Sequence, residues 1–300
     1  MDKIKLSDNL KISPLVHGHW RLLDWNMSNQ ELLELIQKLI ELGITTFDHA
    51  DIYGNYNNEE LFGNALTIKK GLRYDIQIIT KCGIKPVSDK FPERQIGYYD
   101  YNFEHIISSV NNSLANFGTD YIDLLLLHRP SPFFNPEEVA KAFSILKQSG
   151  KVLHFGVSNF NPQQYEMLNS YLNDDLVTNQ VEISPFCLEN FDNGNMDFFL
   201  KKRIKPLAWS PLAGGKIISP EGEKEQRIFN SLTEVANELD VDSIDKIIYS
   251  WLLKHPAHII PIIGSGKISR IKNAVEALNI DMSIEQWLNI YIASVGKQLP

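Results

Sequence analysis

The sequence predicts an α/β protein: a single-domain (β/α)8 (TIM) barrel over residues 1–300, with a β-hairpin at its N-terminus. Eight short apolar segments recur along the chain, and each but the first follows a segment of helical period. Strands that are continuously apolar and alternate with helices are typical of a parallel sheet covered on both faces. Eight such units at this length fit a closed barrel. An open doubly wound sheet would need a glycine-rich turn after its first strand, and LVHGHWRLLD does not contain one.

The first elements illustrate the pattern. KIKLSDNLKIS predicts a hairpin that turns at Asp8 and Asn9, and PLVHGHW is the first barrel strand. In SNQELLELIQKLIELG, Ser28 and Glu31 have the spacing of a capping box, and Gly43 suits a helix end. The seven further strand candidates are, in order, GITTFDHA, DIQIITKC, YIDLLLLH, KVLHFGVSN, LVTNQVEIS, RIKPLAWS and HIIPIIGS.

Two later helices have equally clear boundaries. NPEEVAKAFSILKQSG places Asn135 as N-cap, proline at the first helical position and Gly150 as terminator. NPQQYEMLNSYL opens in the same way at Asn161 and Pro162.

Composition excludes several classes of function. A formal charge of -8 argues against a general binder of nucleic acid or anionic membrane, because both need a broad basic surface. Cys82 and Cys187 form no CxxC pair, which fits the reducing cytoplasm. The N-terminal segment lacks the apolar core of a signal peptide, and YIDLLLLH is too short to span a bilayer. We therefore expect a cytoplasmic protein that binds neither nucleic acid nor membrane.

Reactive groups of a (β/α)8 barrel gather at the C-terminal ends of its strands. Asp48, Tyr53, Lys81 and His128 lie at such ends, and together they make chemical sense. An ammonium beside a phenol should lower the pKa of the phenol, and a sheltered ammonium needs a carboxylate partner. A neutral imidazole can orient a carbonyl oxygen and share its developing charge. This set could protonate an oxygen while another group attacks the carbon.

Six blocks resemble, in sequence order, the signature blocks of the aldo-keto reductase family. They are FDHADIYG, ITKCG, LLLLHRP, GVSNF, TNQVEISP and AWSPLAGGK. The resemblance covers nearly the whole chain and is greatest to the bacterial YdhF-type oxidoreductases. It implies a single barrel that reduces an aldehyde or ketone with NADP(H), without metal or flavin. It also implies that Tyr53 is the general acid, Lys81 its pKa modulator, Asp48 the partner of Lys81, and His128 the group that orients the substrate.

The resemblance also implies a cofactor site. Ser158, Asn159 and Gln180 carry groups that donate and accept, as a nicotinamide carboxamide requires, and Trp209 stands where the family stacks an aromatic ring. Beyond these, the residues expected to contact NADP(H) are Trp20, Asp48, Ser210, Leu212, Gly214, Lys216, Gly264, Ser265, Lys267 and Arg270.

The last three residues of this set indicate NADPH in preference to NADH. Ser265, Lys267 and Arg270 offer a hydroxyl, an ammonium and a guanidinium that suit a phosphate monoester. Two departures from the family pattern are Gly264, where many members have a basic residue, and Ala274, where many have asparagine. The other interpretation of Lys267 and Arg270 is a solvated helix start.

Two other functions stay open from the sequence. His17 and His19 would face the same way on a strand and could bind metal with Lys81, His128 and His154, as in a metal-dependent amidohydrolase. That reading lacks a carboxylate after the last strand, which ends at Gly264. A protein that binds NADPH tightly and regulates a partner, with little turnover, is the other alternative.

The loop between the third strand and its helix, GIKPVSDKFPERQIGYYDYN, is rich in tyrosine. Tyr98, Tyr99 and Tyr101 could shape a pocket for an apolar carbonyl substrate, or they could pack the loop onto the barrel. We expect a small-molecule carbonyl substrate and, by analogy with the family, a monomer.

Overall fold

The structure is a computed structural model that describes residues 1–299. The chain divides into two compact units, residues 1–179 and the residues from 180 onward, and each unit is described by itself. The predicted assignment of residues 1–300 to a single domain stays a prediction.

Eight parallel strands form one closed barrel, as predicted. The strands, in chain order, are β3 (Val16–Gly18), β4 (Thr46–Asp48), β5 (Gln77–Cys82), β8 (Ile122–Leu127), β9 (Val152–Ser158), β10 (Asn179–Glu182), β11 (Leu207–Trp209) and β12 (Ile260–Ile263). Each lies within one of the eight apolar segments that the sequence singled out, so the prediction of the strands is confirmed.

Two small antiparallel pairs stand apart from the barrel. β1 (Ile4–Ser7) and β2 (Leu10–Ile12) form the predicted N-terminal hairpin, with Ile4 opposite Ile12. β6 (Ile84–Lys85) and β7 (Tyr98–Tyr99) pair within the tyrosine-rich loop, with Ile84 opposite Tyr99.

Six helices belong to the first unit. They are α1 (Asn29–Glu41), α2 (Tyr53–Tyr56), α3 (Asn58–Ile68), α4 (Phe103–Phe117), α5 (Pro136–Gln148) and α6 (Pro162–Asn169), with short 3₁₀ helices at Leu23–Trp25 and Leu72–Asp75. α1 begins with the predicted capping box, in which Ser28 accepts from the backbone of Glu31. Asn135 and Asn161 cap α5 and α6 as predicted, each followed by proline.

Strand register brings the predicted catalytic and cofactor-binding side chains of the first unit to one edge of the sheet. β4 pairs with β3 and β5, and β8 pairs with β5 and β9, all in parallel. Asp48 ends β4, Lys81 is the penultimate residue of β5, and Ser158 ends β9. Because parallel strands end at the same edge, these side chains emerge together.

The second unit contains β11, β12 and six helices. The helices are α7 (Glu189–Asp192), α8 (Asn195–Lys202), α9 (Glu223–Glu238), α10 (Ile244–Lys254), α11 (Ile268–Glu276) and α12 (Ile284–Val295), with 3₁₀ helices at Ala213–Gly215 and Ala277–Asn279. α10 and α12 are joined by stacked indoles, since Trp251 and Trp287 lie 4.8 Å apart between ring centroids. Each indole N–H donates to the other residue's carbonyl, at 3.1 and 2.9 Å. Across residues 1–299 no helix combines the length and apolar character needed to cross a bilayer.

Two buried histidines, His19 and His49, pack against aromatic side chains of α3 and α4. The rings of His19 and His49 stack 4.4 Å apart, and Phe62 packs against both, at 4.9 and 4.5 Å. Among residues 1–299 no hydrogen-bond partner meets the ring nitrogens of these two histidines. Within residues 1–299 no three His, Cys, Asp or Glu side chains are arranged to hold a metal ion. The rings around His19 include His17, His49, Phe47 and Phe62, and this packing gives no support to the amidohydrolase alternative.

We expect this cluster to make the fold acid-sensitive. Burial lowers the pKa of both His19 and His49 well below 6.5, with further lowering by His49 and His17 at His19 and by Lys81 and His17 at His49. The unfolded chain then binds more protons than the native one below pH 6.5, so stability is full above that pH and is lost as the pH falls. His49→Leu should reduce the loss between pH 7 and pH 5 by about 1–2 kcal/mol, measured by urea unfolding. The exposed control His258→Asn should leave the slope unchanged; an unchanged slope in His49→Leu would contradict the assignment.

Candidate active site

The ammonium group of Lys81 lies at the centre of the site. Its Nζ donates to Asp48 Oδ2 at 2.8 Å, to the carbonyl of His49 at 2.7 Å and to the hydroxyl of Tyr53 at 3.2 Å. Lys81 is fully buried, and Asp48 is 3% exposed. An ammonium has three donors, and here each has an acceptor. The cation is therefore both neutralised and fully hydrogen-bonded, as a buried charge must be.

Local structure explains why Tyr53 reaches Lys81. The residue follows Asp48 by five positions and begins the short turn α2, where its N–H donates to the carbonyl of Ala50 at 3.1 Å. Gly54 comes next with φ +57°, and a Cβ there would lie 1.9 Å from the side-chain oxygen of Asn58. The glycine in DIYG is therefore required for the turn that presents the phenol.

The protonation of Tyr53 differs from the sequence-based expectation. Burial raises the pKa of Tyr53 above 10, and the lowering by Lys81 does not offset this effect. At Lys81 burial acts to lower the pKa, but Asp48 and Tyr53 outweigh it, and the pKa is raised. Lys81 does lower the pKa of Tyr53, as expected, but burial outweighs this effect. The expected net lowering of that pKa is therefore wrong. The site holds an ammonium beside a protonated phenol.

His128 completes the predicted set of four. It follows β8 directly, is 8% exposed, and its ring centroid lies 5.7 Å from that of Tyr53 in an edge-on arrangement. Burial, Lys81 and Arg129 together lower the pKa of His128 well below 6.5. The imidazole is therefore neutral, as predicted, and it can donate one hydrogen bond without adding charge. The structure brings all four predicted catalytic side chains together within the first unit.

Besides Asp48, three predicted cofactor residues belong to the first unit. Ser158 is 1% exposed at the end of β9. Asn159 has φ +63°, and its amide donates to Ser158 Oγ at 2.8 Å and to the carbonyl of His128 at 3.3 Å. Trp20 instead is 64% exposed, with the Arg21 guanidinium carbon 5.2 Å from its ring centroid. Ser158 and Asn159 are thus adjacent to the catalytic set.

In the second unit the predicted cofactor residues fall into three groups: at strand ends, in the loop after β11, and at the start of α11. Gln180 is buried in β10, and Trp209 ends β11 half-buried. The loop that follows carries Ser210 with φ +55° and Gly214 with φ +67°. It also carries Leu212, half-buried, and Lys216, exposed, with its Nζ 5.5 Å from the ring centroid of Phe186.

The predicted phosphate group surrounds the start of α11. Lys267 caps the helix, and its N–H donates to Ser265 Oγ at 3.2 Å. Lys267 and Arg270 are exposed, as is Gly264. Within the described part of the chain neither cation has a carboxylate partner. Ala274 is fully buried, and the neighbouring Asn273 donates to both carboxylate oxygens of Asp245.

Sequence reasoning missed a buried carboxylate pair behind Lys81. Glu59 is 2% exposed and accepts from Thr80 at 2.6 Å, Ser113 at 2.9 Å and Asn116 at 3.2 Å. Burial and the charge of Glu59 raise the pKa of Asp51 to about 7. Both carboxylates line a cavity of about 240 Å³. The signal in YNNEELFG looks like ordinary acidic residues in a first helical turn, so only the packing reveals the pair.

Comparison with known proteins agrees with this site. The model of the aldo/keto reductase family matches residues 14–294. The chain is 50% identical to the uncharacterized oxidoreductase YcsN of Bacillus subtilis (strain 168), over the full length of both chains. It is 46% identical to the oxidoreductase YdhF of Escherichia coli (strain K12), covering 97% of this chain and 96% of that one. It is 39% identical, over the full length of both, to a 6-dehydroglucose reductase of Agrobacterium fabrum (strain C58 / ATCC 33970).

A solved structure shows the same architecture. The thermostable aldo-keto reductase Tm1743, in complex with the inhibitor epalrestat, superposes with a TM-score of 0.81 at 25% identity. The match covers 98% of this chain and all of that one. Members of this family are oxidoreductases that in general use a nicotinamide cofactor. The family match and the full-length relatives confirm the resemblance seen in the six sequence blocks: the chain is an oxidoreductase and belongs to the aldo/keto reductase family.

Proposed function

We propose that the protein reduces the carbonyl group of a small aldehyde or ketone to the alcohol, with NADPH as hydride donor and Tyr53 as proton donor. The observation that carries the proposal is the contact of Tyr53 with a buried, fully bonded ammonium, Lys81. A neutral His128 lies against the same phenol. The proposal also includes a monomeric state, by analogy with the family, and a location in the cytoplasm, with which the free thiols of Cys82 and Cys187 agree.

The residues present fit NADP(H). Ser158, Asn159 and Gln180 would hold the carboxamide, and Trp209 would stack on the ring. The 210–216 loop would bind the pyrophosphate. Lys267 and Arg270, exposed and without carboxylate partners in residues 1–299, would bind the 2′-phosphate. When bound, the cofactor supplies the hydride for the carbonyl carbon.

The residues of the chain handle the oxygen. As the carbonyl carbon gains hydride, negative charge develops on the oxygen, and the neutral imidazole of His128 would stabilise it by a hydrogen bond. The O–H bond of Tyr53 then breaks, and its proton completes the alcohol. Lys81, held by Asp48, would stabilise the tyrosinate that remains until solvent returns a proton.

The raised pKa of Tyr53 favours the reductive direction near neutral pH. A phenol whose pKa lies above 10 is protonated at pH 7 and is ready to donate. Alcohol oxidation would need the tyrosinate, which forms only as the pH rises. The name of the 6-dehydroglucose reductase relative adds an oxidised sugar to the aldehydes and ketones that we propose as candidate substrates.

Tyr53→Phe should separate binding from chemistry. The affinity for NADPH, measured by fluorescence titration, should stay within about twofold, while kcat for carbonyl reduction falls by about 10³-fold or more because the proton donor is gone. Tyr74→Phe, at a tyrosine that is 80% exposed, is the matched control and should behave as wild type. Substrates would be 6-dehydroglucose and a series of aldehydes, ketones, dicarbonyls and quinones. Unchanged turnover in Tyr53→Phe would refute the role of Tyr53, and tight NADPH binding without wild-type turnover would favour the regulatory alternative.

Lys81→Met should impair alcohol oxidation most at moderate pH. The wild-type rate of oxidation should rise with pH as tyrosinate forms, and loss of the ammonium should displace this rise to higher pH, with kcat reduced by about 10²-fold or more. Lys246→Met removes another paired lysine, bonded to Asp242 and Glu276, and should leave the profile in place. A wild-type pH profile in Lys81→Met would show that Lys81 does not act on Tyr53.

The cofactor preference tests the start of α11. Arg270→Ala should weaken NADPH binding by about tenfold and leave NADH binding unchanged, because only NADPH carries the 2′-phosphate. Lys272→Ala removes an exposed cation of the same helix and serves as the control. Equal effects of Arg270→Ala on NADPH and NADH would show that α11 does not bind the phosphate.

A further inference from the structure

The structure separates the three tyrosines of the loop between β5 and α4. Tyr98 and Tyr99 lie in β7 and are 43% and 38% exposed, whereas Tyr101 is 4% exposed. The ring of Tyr101 packs edge-on against Phe134 at 5.4 Å, and Phe134 packs against Phe160 at 5.9 Å. Tyr101 is therefore part of the packed interior of the first unit.

The hydroxyl of Tyr101 bonds both backbone groups of one residue. It donates to the carbonyl of Arg129 at 2.5 Å and accepts from the N–H of Arg129 at 3.0 Å. Burial raises the pKa of Tyr101 far above 10, so the phenol keeps the proton that it donates. Arg129 follows His128 directly. A single side chain thus fixes the backbone immediately after the predicted substrate-orienting imidazole.

The same ring also rests on the end of the strand that carries Lys81. Gly83 has φ +108°, and a Cβ at this position would lie 2.0 Å from Cε1 of Tyr101. The N–H of Asp100 donates to the carbonyl of Gly83 at 2.8 Å, which ties the loop to the same point. Tyr101 therefore contacts the chain two residues after Lys81 and one residue after His128.

His128 depends on backbone support because its ring has little support of its own. Its Nδ1 is buried and has no hydrogen-bond partner in the described part of the chain. Its backbone N–H donates to the carbonyl of Cys82 at 3.0 Å, and its carbonyl accepts from the amide of Asn159 at 3.3 Å. A ring without a hydrogen bond at Nδ1 takes its place from packing and from the backbone that carries it.

We propose that Tyr101 is a positioning residue, whose hydroxyl holds the backbone at Arg129 so that the His128 ring stays beside Tyr53 and Lys81. The inference rests on the proposed carbonyl reduction, since it assigns Tyr101 an effect on that reaction. Displacement of a reacting group by about 1 Å can cost about 10²-fold in rate, so loss of two backbone bonds next to His128 should be visible in kcat.

Tyr101→Phe removes the hydroxyl and keeps the ring. Exchange of the Arg129 amide hydrogen, followed by NMR, should become at least about tenfold faster, because a protecting hydrogen bond is lost. kcat should fall by about tenfold or more, with the affinity for NADPH within about twofold of wild type. Tyr165→Phe is the matched control, since Tyr165 is equally buried and its hydroxyl donates to the backbone carbonyl of Leu176. Tyr165→Phe should change neither the exchange rate of the Arg129 amide hydrogen nor kcat.

A double-mutant cycle tests whether Tyr101 acts through His128. In a His128→Ala background Tyr101→Phe should cause no further loss of kcat, whereas a general structural defect would multiply the two losses.

Two results would overturn the positioning role: wild-type kcat in Tyr101→Phe, or multiplied losses in the cycle. Absence of turnover in the wild-type enzyme would contradict the proposed function, and the amide exchange of Arg129 would still show whether Tyr101 holds the backbone. Wild-type turnover that is lost in Tyr53→Phe, together with full activity in Tyr101→Phe, would contradict only the role of Tyr101.

Discussion

The buried ammonium of Lys81 is the constraint on which the site depends. A lysine with no solvent contact keeps its proton only if acceptors replace water. Asp48, the carbonyl of His49 and the hydroxyl of Tyr53 are those acceptors. The pairing of β4 with β5 brings the carboxylate to the ammonium, and the turn after β4 brings the phenol. A change in any of these elements would leave a buried charge incompletely paired, so the requirements of folding and of the proposed chemistry coincide here.

Two tyrosines of the first unit, one half-buried and one buried, illustrate how hydrogen-bond partners decide a role. Burial raises the pKa of both Tyr53 and Tyr101. Tyr53 contacts an ammonium that can stabilise its anion, and it also faces the neutral ring of His128. The hydroxyl of Tyr101 bonds the backbone carbonyl and N–H of Arg129. The first arrangement suits proton transfer, and the second suits a permanent hydrogen bond. The proposed division of labour between them follows from these contacts and not from residue type.

The groups around Lys81 keep the local charge low. His49 and His128 are buried and neutral, and the pKa of Asp51 is raised to about 7. Glu59 is held by three hydrogen bonds instead of a cation. The ion pair of Lys81 and Asp48 thus lies beside buried groups that are neutral or hydrogen-bonded. In such an environment a charge that develops on a substrate oxygen would be poorly screened by solvent, and the dipoles aimed at it would have a large effect.

The sequence alone determined the strands, the capped helices, the hairpin and the four catalytic candidates, because local periodicity, caps and strand-end chemistry are properties of short segments. Tertiary structure decided the rest. Alternation on β3 allows His17 and His19 to share a face, but only the packing of Phe62 shows that His19 lies among aromatic rings. The loop YYDY does not distinguish three tyrosines, and only contact with Gly83 and Arg129 selects Tyr101. The net pKa of Tyr53 depends on how burial compares with one nearby cation. Burial and long-range contacts join residues far apart in the chain, and no local pattern encodes them.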